Sequence, residues 1–394
     1  MNLNQTKKAS SDALWQKLYG WVKPYDHLQT AAMVVLLFTG ISFIYSTGQQ
    51  VGGPNADIFW HRQLQWLGLG ICVWLFMSIF DYRMLKFFSP FIYVGCIVLL
   101  IAVLIWGPKI YGASRWLVFG PGGRIRLQPS EFAKLGTIIF LSLILAWRNF
   151  KINNLAHLAL LGIVTLIPFA LIVVEPDLGS AIILLPTLAI MIFVAGIKWK
   201  YIIIVATCAT IFIAAEIVNE VYEIKPLLRG YQKERIMVFL NPERDLNNRG
   251  YNQFQARLAV GSGGMSGKGF GKGTQNTLGF LPQSVSNNDF IFSVIAEETG
   301  FIGATALILT YILLIYTMLR TAWLATDPFG RYMAVGIAVV FFVHSFVNIG
   351  MSLGIMPITG LPLPQVSYGG SFLIFTMFCL GILQSIYING HRTE

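Results

Sequence analysis

The sequence predicts an all-α polytopic membrane protein with about ten transmembrane helices, and three observations predict it. Charged residues are 12% of the 394, roughly half the share in a soluble domain. Apolar residues are 55%, and mean hydropathy is +0.65. A soluble chain of this length needs many more charges to cover its surface, so lipid is expected to cover it instead. The apolar residues also come in long unbroken runs, without the alternation that a membrane β-barrel requires.

The runs place spans near 28–46, 63–80, 88–106, 129–147, 157–174, 179–196, 201–219, 290–318, 330–350 and 370–387. Backbone amides in hydrocarbon must be satisfied internally, so each is a helix. Residues 1–26 are polar and basic, with Lys7, Lys8, Lys17 and Lys23. They lack the apolar core of a cleavable signal, so the first span is expected to remain as a helix. The expected organisation is a cytoplasmic tail over 1–26, one transmembrane domain over 27–388 and a second tail over 389–394. Within the domain, 219–288 is one long extracytoplasmic loop between helices 7 and 8.

Charge orients the bundle. Loops after even-numbered spans carry Arg83, Lys86, Arg148, Lys151, Lys198, Lys200, Arg320 and Arg331, and the final tail carries Arg392. Lys and Arg hold loops in the cytoplasm, so both termini are expected there. Two outer loops break the pattern. One holds Lys109, Arg115, Arg124 and Arg126 with no acid between Gly107 and Ser130. The other holds Arg249, Arg257, Lys268 and Lys272 with no acid from Asn247 to Asn288. Positive charge there implies an anionic ligand at the outer surface, or contact with anionic head groups.

Cys72, Cys96, Cys208 and Cys379 lie in apolar runs with no Cys-x-x-Cys pair, so they read as buried small side chains. The segment AVGSGGMSGKGFGKGTQ over 259–275 is Gly-rich, but Lys268 and Lys272 are each followed by Gly and Thr274 comes one place late for a P-loop. Nucleotide binding is excluded. Its backbone amides suit either a phosphate cradle or a structural turn.

Asp289 sits where the basic loop meets an apolar helix, in SNNDFIFSVIAEETG. One reading is a helix start, with Asn287 or Asn288 as N-cap and Asp289 in the first turn. The other is catalytic, since it is the only carboxylate on that basic stretch and lies at the expected membrane interface. Glu297 and Glu298 follow, expected about two turns deeper, where carboxylates are costly without a role. Glu131 and Lys134 in QPSEFAK are three apart, a spacing that suits an ion pair shaping a cavity wall. Glu175-Pro176-Asp177 breaks the chain between two spans, as a tight turn or a cation site. His61 and Arg62 open the second span, with Arg62 either snorkelling or meeting a phosphate. His344 reads as a packing residue. The run GIMPITGLPLPQVSYGGS over 354–371 has three prolines beside a span, which implies a re-entrant, cavity-lining segment.

These residues resemble the SEDS proteins (shape, elongation, division and sporulation), the RodA/FtsW/SpoVE family of peptidoglycan glycosyltransferases. The motifs are GASRWL at 112–117, QPSEFAK at 128–134, EPDLGSA at 175–181 and FLNPERD at 239–245. GYNQFQARLAVGSGG at 250–264, GKGTQ at 271–275, DFIFSVIAEETGFIG at 289–303 and the 354–371 run complete the set. The likeness spans nearly the whole chain and leans to the RodA branch. It departs at Leu-Pro-Gln-Ser-Val-Ser-Asn-Asn-Asp-Phe, where Gln283 and Asn288 replace the family's Glu and Thr and the segment is two residues longer.

The resemblance implies a peptidoglycan glycosyltransferase of the bacterial inner membrane. Its substrate would be lipid II, its partner a class B penicillin-binding protein, and a divalent cation, Mg²⁺ or Mn²⁺, would be required. No nucleotide or nucleic acid is expected; membrane lipids surround it. The family's essential aspartate falls on Asp289, which would act as general base and is a possible metal ligand. Substrate-binding candidates are Arg62, Arg115, Trp116, Lys268, Lys272, Gln275 and Ser367. Glu131, Lys134, Glu297 and Glu298 are cavity-shaping candidates. The alternatives are a lipid II flippase and a non-catalytic scaffold for the penicillin-binding protein.

Overall fold

The structure is a computed structural model that describes residues 25–48, 58–108, 114–119, 125–201 and 249–391, with isolated positions between 203 and 215. Helices α1 (His27–Gly48), α2 (Ile58–Ile79), α3 (Met84–Trp106), α4 (Pro129–Leu145) and α5 (Leu155–Val174) stand where the first five spans are expected. The sixth is divided into α6 (Leu178–Ile182) and α7 (Leu184–Val194). Pro186 lacks the N–H that would bond the Ile182 carbonyl, which accounts for the break. The seventh expected span, the FLNPERD motif, Cys208, Lys109, Arg124 and both chain tails lie outside the described residues apart from scattered positions.

Part of the long loop is helical: α8 (Arg249–Ser262), α9 (Thr274–Thr277) and α10 (Gln283–Ser286). The chain then forms α11 (Ile291–Leu324), α12 (Pro328–Leu353) and α13 (Gly370–His391). The loop after α3 holds a short antiparallel hairpin of β1 (Leu117–Phe119) and β2 (Ile125–Leu127), with Val118 opposite Arg126. Among the described residues six helices are long and apolar enough to cross a membrane.

Local chemistry sets the boundaries. Pro129 opens α4 and Pro328 opens α12, where a missing N–H costs nothing. Asp327 caps α12 by accepting from the Gly330 N–H, and Gly354 ends it in the left-handed region at φ 75°. The helices α12 and α13 are buried along most of their length and form the middle of the bundle. Small residues let neighbours come close: a Cβ on Gly336 would lie 2.6 Å from Ile138 of α4, and one on Gly381 2.6 Å from Met77 of α2. The outer helices instead show Phe87, Phe91 and Trp106 of α3 to the surroundings, as lipid-facing helices do. Cys72, expected to be buried, is also exposed on α2, while Cys96 and Cys379 are buried thiols.

The helix α11 is not one helix. Gly300 has φ 68° and ψ −165°, outside the helical region, so residues 291–299 and 301–324 are separate helices. Two contacts fix the level of the break. Arg320 pairs with Asp26 at 2.6 Å, and Ser46 donates to Glu298 at 2.5 Å. These contacts join the start of α1 to the far end of the second part of α11, and the end of α1 to the end of the first part, about 30 Å away. Glu298 therefore lies at the rim opposite Asp26. This corrects the expectation that Glu297 and Glu298 lie two turns inside a span: the left-handed glycine turns the chain back, and the carboxylates end the rising half-helix. The start of α1 and the end of α13 share the Asp26 end, where a Cβ on Gly390 would come within 3.0 Å of the Leu324 carbonyl.

Candidate functional site

Two irregular segments enter the bundle from the Glu298 end and meet. The first comprises residues 287–290, between α10 and the half-helix 291–299. The second comprises residues 354–369, which have no helix until α13 begins. The Tyr311 hydroxyl donates to the Pro364 carbonyl. Tyr311 lies three turns beyond Gly300, about 16 Å along the axis, so the second segment reaches near mid-depth. The expected re-entrant run is thus present.

The segments are joined through backbone. Tyr368 N–H donates to the Asn287 carbonyl at 2.9 Å. The Ser367 hydroxyl donates to the Asn288 carbonyl at 2.6 Å and accepts from Leu363 N–H at 2.8 Å. Asn348 of α12 donates to both the Asp289 and Leu361 carbonyls. Gln63 of α2 holds the same region, accepting from Gly369 N–H at 3.3 Å and donating to the Ser367 carbonyl at 3.5 Å. Sequence reasoning missed Gln63 and Asn348 as braces; their partners lie far along the chain.

Asp289 stands at this junction, half-buried. Its N–H donates to the Val285 carbonyl at 3.0 Å. A Cβ on the exposed Gly360 would sit 3.4 Å from its Oδ2, so the carboxylate faces the backbone of Gly360 in the second segment. The helix starts only at Ile291, with Phe290 as an N-cap that makes no side-chain bond. Asp289 is therefore not a first-turn residue, and neither Asn287 nor Asn288 is the cap. Of the two sequence readings of Asp289, the turn at 287–290 removes the helix start.

The Gly-rich loop is a structural turn. Lys268 N–H and Gly269 N–H donate to the Glu297 and Glu298 carbonyls, each at 3.0 Å. They satisfy carbonyls at the end of the half-helix. Gly271 N–H donates to the Glu298 carboxylate at 2.9 Å. The Lys268 ammonium pairs with Glu297 at 2.7 Å, and Glu297 also accepts from Gln275 N–H at 3.0 Å. Where a phosphate cradle was one option, these donors meet the protein's own oxygens. A Cβ on Gly267 would lie 2.2 Å from the Glu298 carbonyl, which explains glycine there. Lys272 is exposed.

A second polar cluster lies on α4. Lys134 pairs with Glu131 at 2.8 Å, both fully buried. His344 Nε2 lies 2.9 Å from Lys134 Nζ, so His344 is more than a packing residue. Arg115 donates from Nε to the Glu175 carbonyl at 3.4 Å and from a terminal nitrogen to the Pro176 carbonyl. Trp116 beside it is partly buried. Asp177 caps α6 and accepts from Gln128 at 3.1 Å. The Glu175 carboxyl is pushed up to about 9, chiefly by burial and then by Asp177, with Arg115 opposing. The turn abuts the site, since a Cβ on Gly179 would lie 2.7 Å from the Thr359 carbonyl, one residue from Gly360. Arg62 is exposed on α2, next to Gln63. Arg62 thus adjoins the Gln63 brace in sequence, and Arg115 holds the turn that abuts Thr359. Among the described residues no three His, Cys, Asp or Glu side chains group to hold a metal ion.

This geometry can be set beside known proteins. Residues 26–391 match the family model for FtsW/RodA/SpoVE cell cycle proteins. The chain is 34% identical over 386 residues to the peptidoglycan glycosyltransferase MrdB of Escherichia coli (strain K12), covering 97% of each. It is 32% identical to the peptidoglycan glycosyltransferase RodA of Treponema pallidum, covering 93% of this chain and 98% of that protein. A chain from a solved peptidoglycan synthase complex that coordinates polymerization and crosslinking superposes with TM-score 0.78 at 28% identity, covering 93% of this chain and 99% of that one. The rod shape determining protein RodA of Thermus thermophilus superposes with TM-score 0.68 at 27% identity, covering 93% and 98%.

Proposed function

The chain belongs to the FtsW/RodA/SpoVE family, and from that premise we propose that it is a peptidoglycan glycosyltransferase that polymerises lipid II, with Asp289 as general base. The observation that carries the assignment is the place of Asp289. It is a half-buried carboxylate at the meeting of two re-entrant segments, beside exposed Gly360. It lies near the depth of Asn348, about 7 Å below the last residue of α12. A lipid-linked sugar head group would sit at that level.

The reaction follows from the groups present. A sugar hydroxyl is a weak nucleophile at neutral pH, so its proton must leave as its oxygen attacks. Asp289 takes that proton from the acceptor GlcNAc 4-hydroxyl. The oxygen bonds to the donor's anomeric carbon, and the bond to polyprenyl pyrophosphate breaks. An α-linked donor giving a β-1,4 product requires one inverting displacement. Arg62, Arg115 and Lys272 offset charge gathering on the leaving group. With Lys268 held by Glu297 and Ser367 by Asn288, those two side chains act by keeping the site in shape. A divalent cation, Mg²⁺ or Mn²⁺, would add positive charge at the pyrophosphate. Asp289 is the residue that would hold such an ion, and the ion would supply charge stabilisation at the leaving group.

The similarity to a synthase complex supports a class B penicillin-binding protein as partner in cell-wall elongation. Loop charge supports a bacterial cytoplasmic membrane location with both termini inside and the Asp289 end facing out.

Purified protein with lipid II tests the reading. Asp289→Ala is expected to lower strand synthesis at least ~100-fold while leaving thermal stability intact. Wild-type synthesis by that variant would remove the assignment. Transport of lipid II across vesicles without any polymer would replace it with a flippase. Chelator is expected to stop synthesis without unfolding the chain.

A further inference from the structure

We propose that Asn348 is a positioning residue for Asp289, acting through both protons of its amide nitrogen; this deepens the reading of Asp289 as base and rests on it. Nδ2 donates to the Asp289 carbonyl at 2.9 Å and to the Leu361 carbonyl at 2.7 Å. An amide nitrogen has two N–H donors, and here one goes to each irregular segment. The side chain is fully buried on α12, so a regular helix sets the donor's position. Its Oδ1 has no hydrogen-bond partner among the described residues, so its hydrogen bonding runs through the nitrogen.

His344, one turn earlier on the same face, makes the arrangement a grip and not a single contact. His344 Nδ1 lies 3.1 Å from the Pro362 carbonyl, so Nδ1 carries the proton. Nε2 is then an acceptor, and it accepts a hydrogen bond from Lys134 Nζ at 2.9 Å. Consecutive carbonyls, Leu361 and Pro362, are therefore held by two residues four apart on α12. From α12 alone the second segment is held at these two carbonyls, and the other proton of Asn348 ties Asp289 to it.

The consequence for chemistry is geometric. Asp289 precedes its helix, and no capping side chain fixes the start of that helix. The direction of its carbonyl sets the peptide plane that follows, and with it the aim of the carboxylate. A general base must come within hydrogen-bond reach of the proton it removes. Asn348 supplies the bond from outside the segment that acts on Asp289's own carbonyl.

The test uses the full chain in lipid nanodiscs with lipid II, reading initial rates across substrate concentration and thermal unfolding. Asn348→Leu keeps the size and removes both donors. The expected result is a fall in kcat per folded molecule of about 100-fold with KM unchanged, beside a lowered melting temperature because two buried carbonyls lose their donor. A wild-type kcat per folded molecule overturns the proposal, whether or not stability falls, because a merely structural role would lower yield and melting temperature alone. A raised KM with unchanged kcat also overturns it. If Asn348→Leu does not fold, Asn348→Ser is read by the same criteria. If Asp289→Ala is inactive and the Asn348 variant fully active, only this inference fails; if Asp289→Ala is active, the base assignment fails with it.

Discussion

At the Asp26 end of the bundle side-chain pairs tie regular helices together; at the Glu298 end, besides such pairs as Ser46–Glu298, side chains also hold the main chain of irregular segments. Asp26 pairs with Arg320, and the Tyr82 hydroxyl donates to Asp327. Burial and that carboxylate push the Tyr82 hydroxyl up to about 12. These contacts secure the ends of regular helices, whose carbonyls are already paired along most of their length. At the other end Gln63, Asn348, Ser367 and the Gly-rich loop all hold main-chain groups of irregular segments. Non-helical backbone brings unpaired carbonyls into the membrane, and each needs a donor. The difference teaches that one end needs only to be fastened, whereas the other must be shaped. Changes at the two ends should therefore separate stability from activity.

The largest effect is expected between the two ends, at the buried pair on α4. Lys134→Met leaves Glu131 uncompensated and should cost about 3–5 kcal/mol. Adding Glu131→Leu should return most of that stability without returning polymerisation, as read by thermal unfolding and strand synthesis. A double variant as unstable as the single one would mean the pair is not the unit. Next comes Gly300→Ala, where a Cβ would lie 2.3 Å from the Gly267 nitrogen at φ 68°. It should cost about 1–3 kcal/mol and reduce synthesis as well, because the half-helix bearing Asp289 hangs from that turn.

Glu175 gives a pH signature of similar or smaller size. Its folded value, about 9, lies above its ordinary 4.5, so the folded chain holds a proton that the unfolded chain releases. Its stabilising contribution is complete below pH 4.5 and is lost as pH rises towards 9. Unfolding between pH 6 and 8 should show a loss of about 2–3 kcal/mol, about 1.4 per pH unit, that Glu175→Gln abolishes. A slope that persists in the variant assigns it to another group. The smallest effect is expected at the fastened end. Arg320→Gln should cost about 1 kcal/mol, since Asp26 keeps its bonds from the Leu28 and Gln29 N–H groups. It should leave strand synthesis untouched; a loss there would erase the contrast between the ends.

The long apolar runs made most spans legible, because hydropathy is a local property and α1 to α5, α12 and α13 follow it. The break at Gly300 was not legible. EETGFIGATALIL reads as one continuous helix, and only the approach of Gly267 from another part of the chain shows why glycine is needed there. Asp289 was legible from its place at the end of a basic loop, but the turn at 287–290 that takes it out of the helix start was not, because that turn depends on Tyr368 and Ser367. Lys268 looked like a free cation because its counter-ion, Glu297, is 29 positions away. Asn348 and Gln63 left no local signal, since an amide in a span says nothing of which carbonyl it will meet.

Residues 291–299 form a stiff lever between the rim and the base. Nine helical residues extend about 13 Å, so a tilt of roughly ten degrees about Gly300 would carry the Asp289 end through about 2 Å. A displacement half that large can slow a proton transfer about 100-fold. Anything that leans on the collar of Ser46, Lys268 and Gly271 thus has leverage over the reaction without touching the sugar.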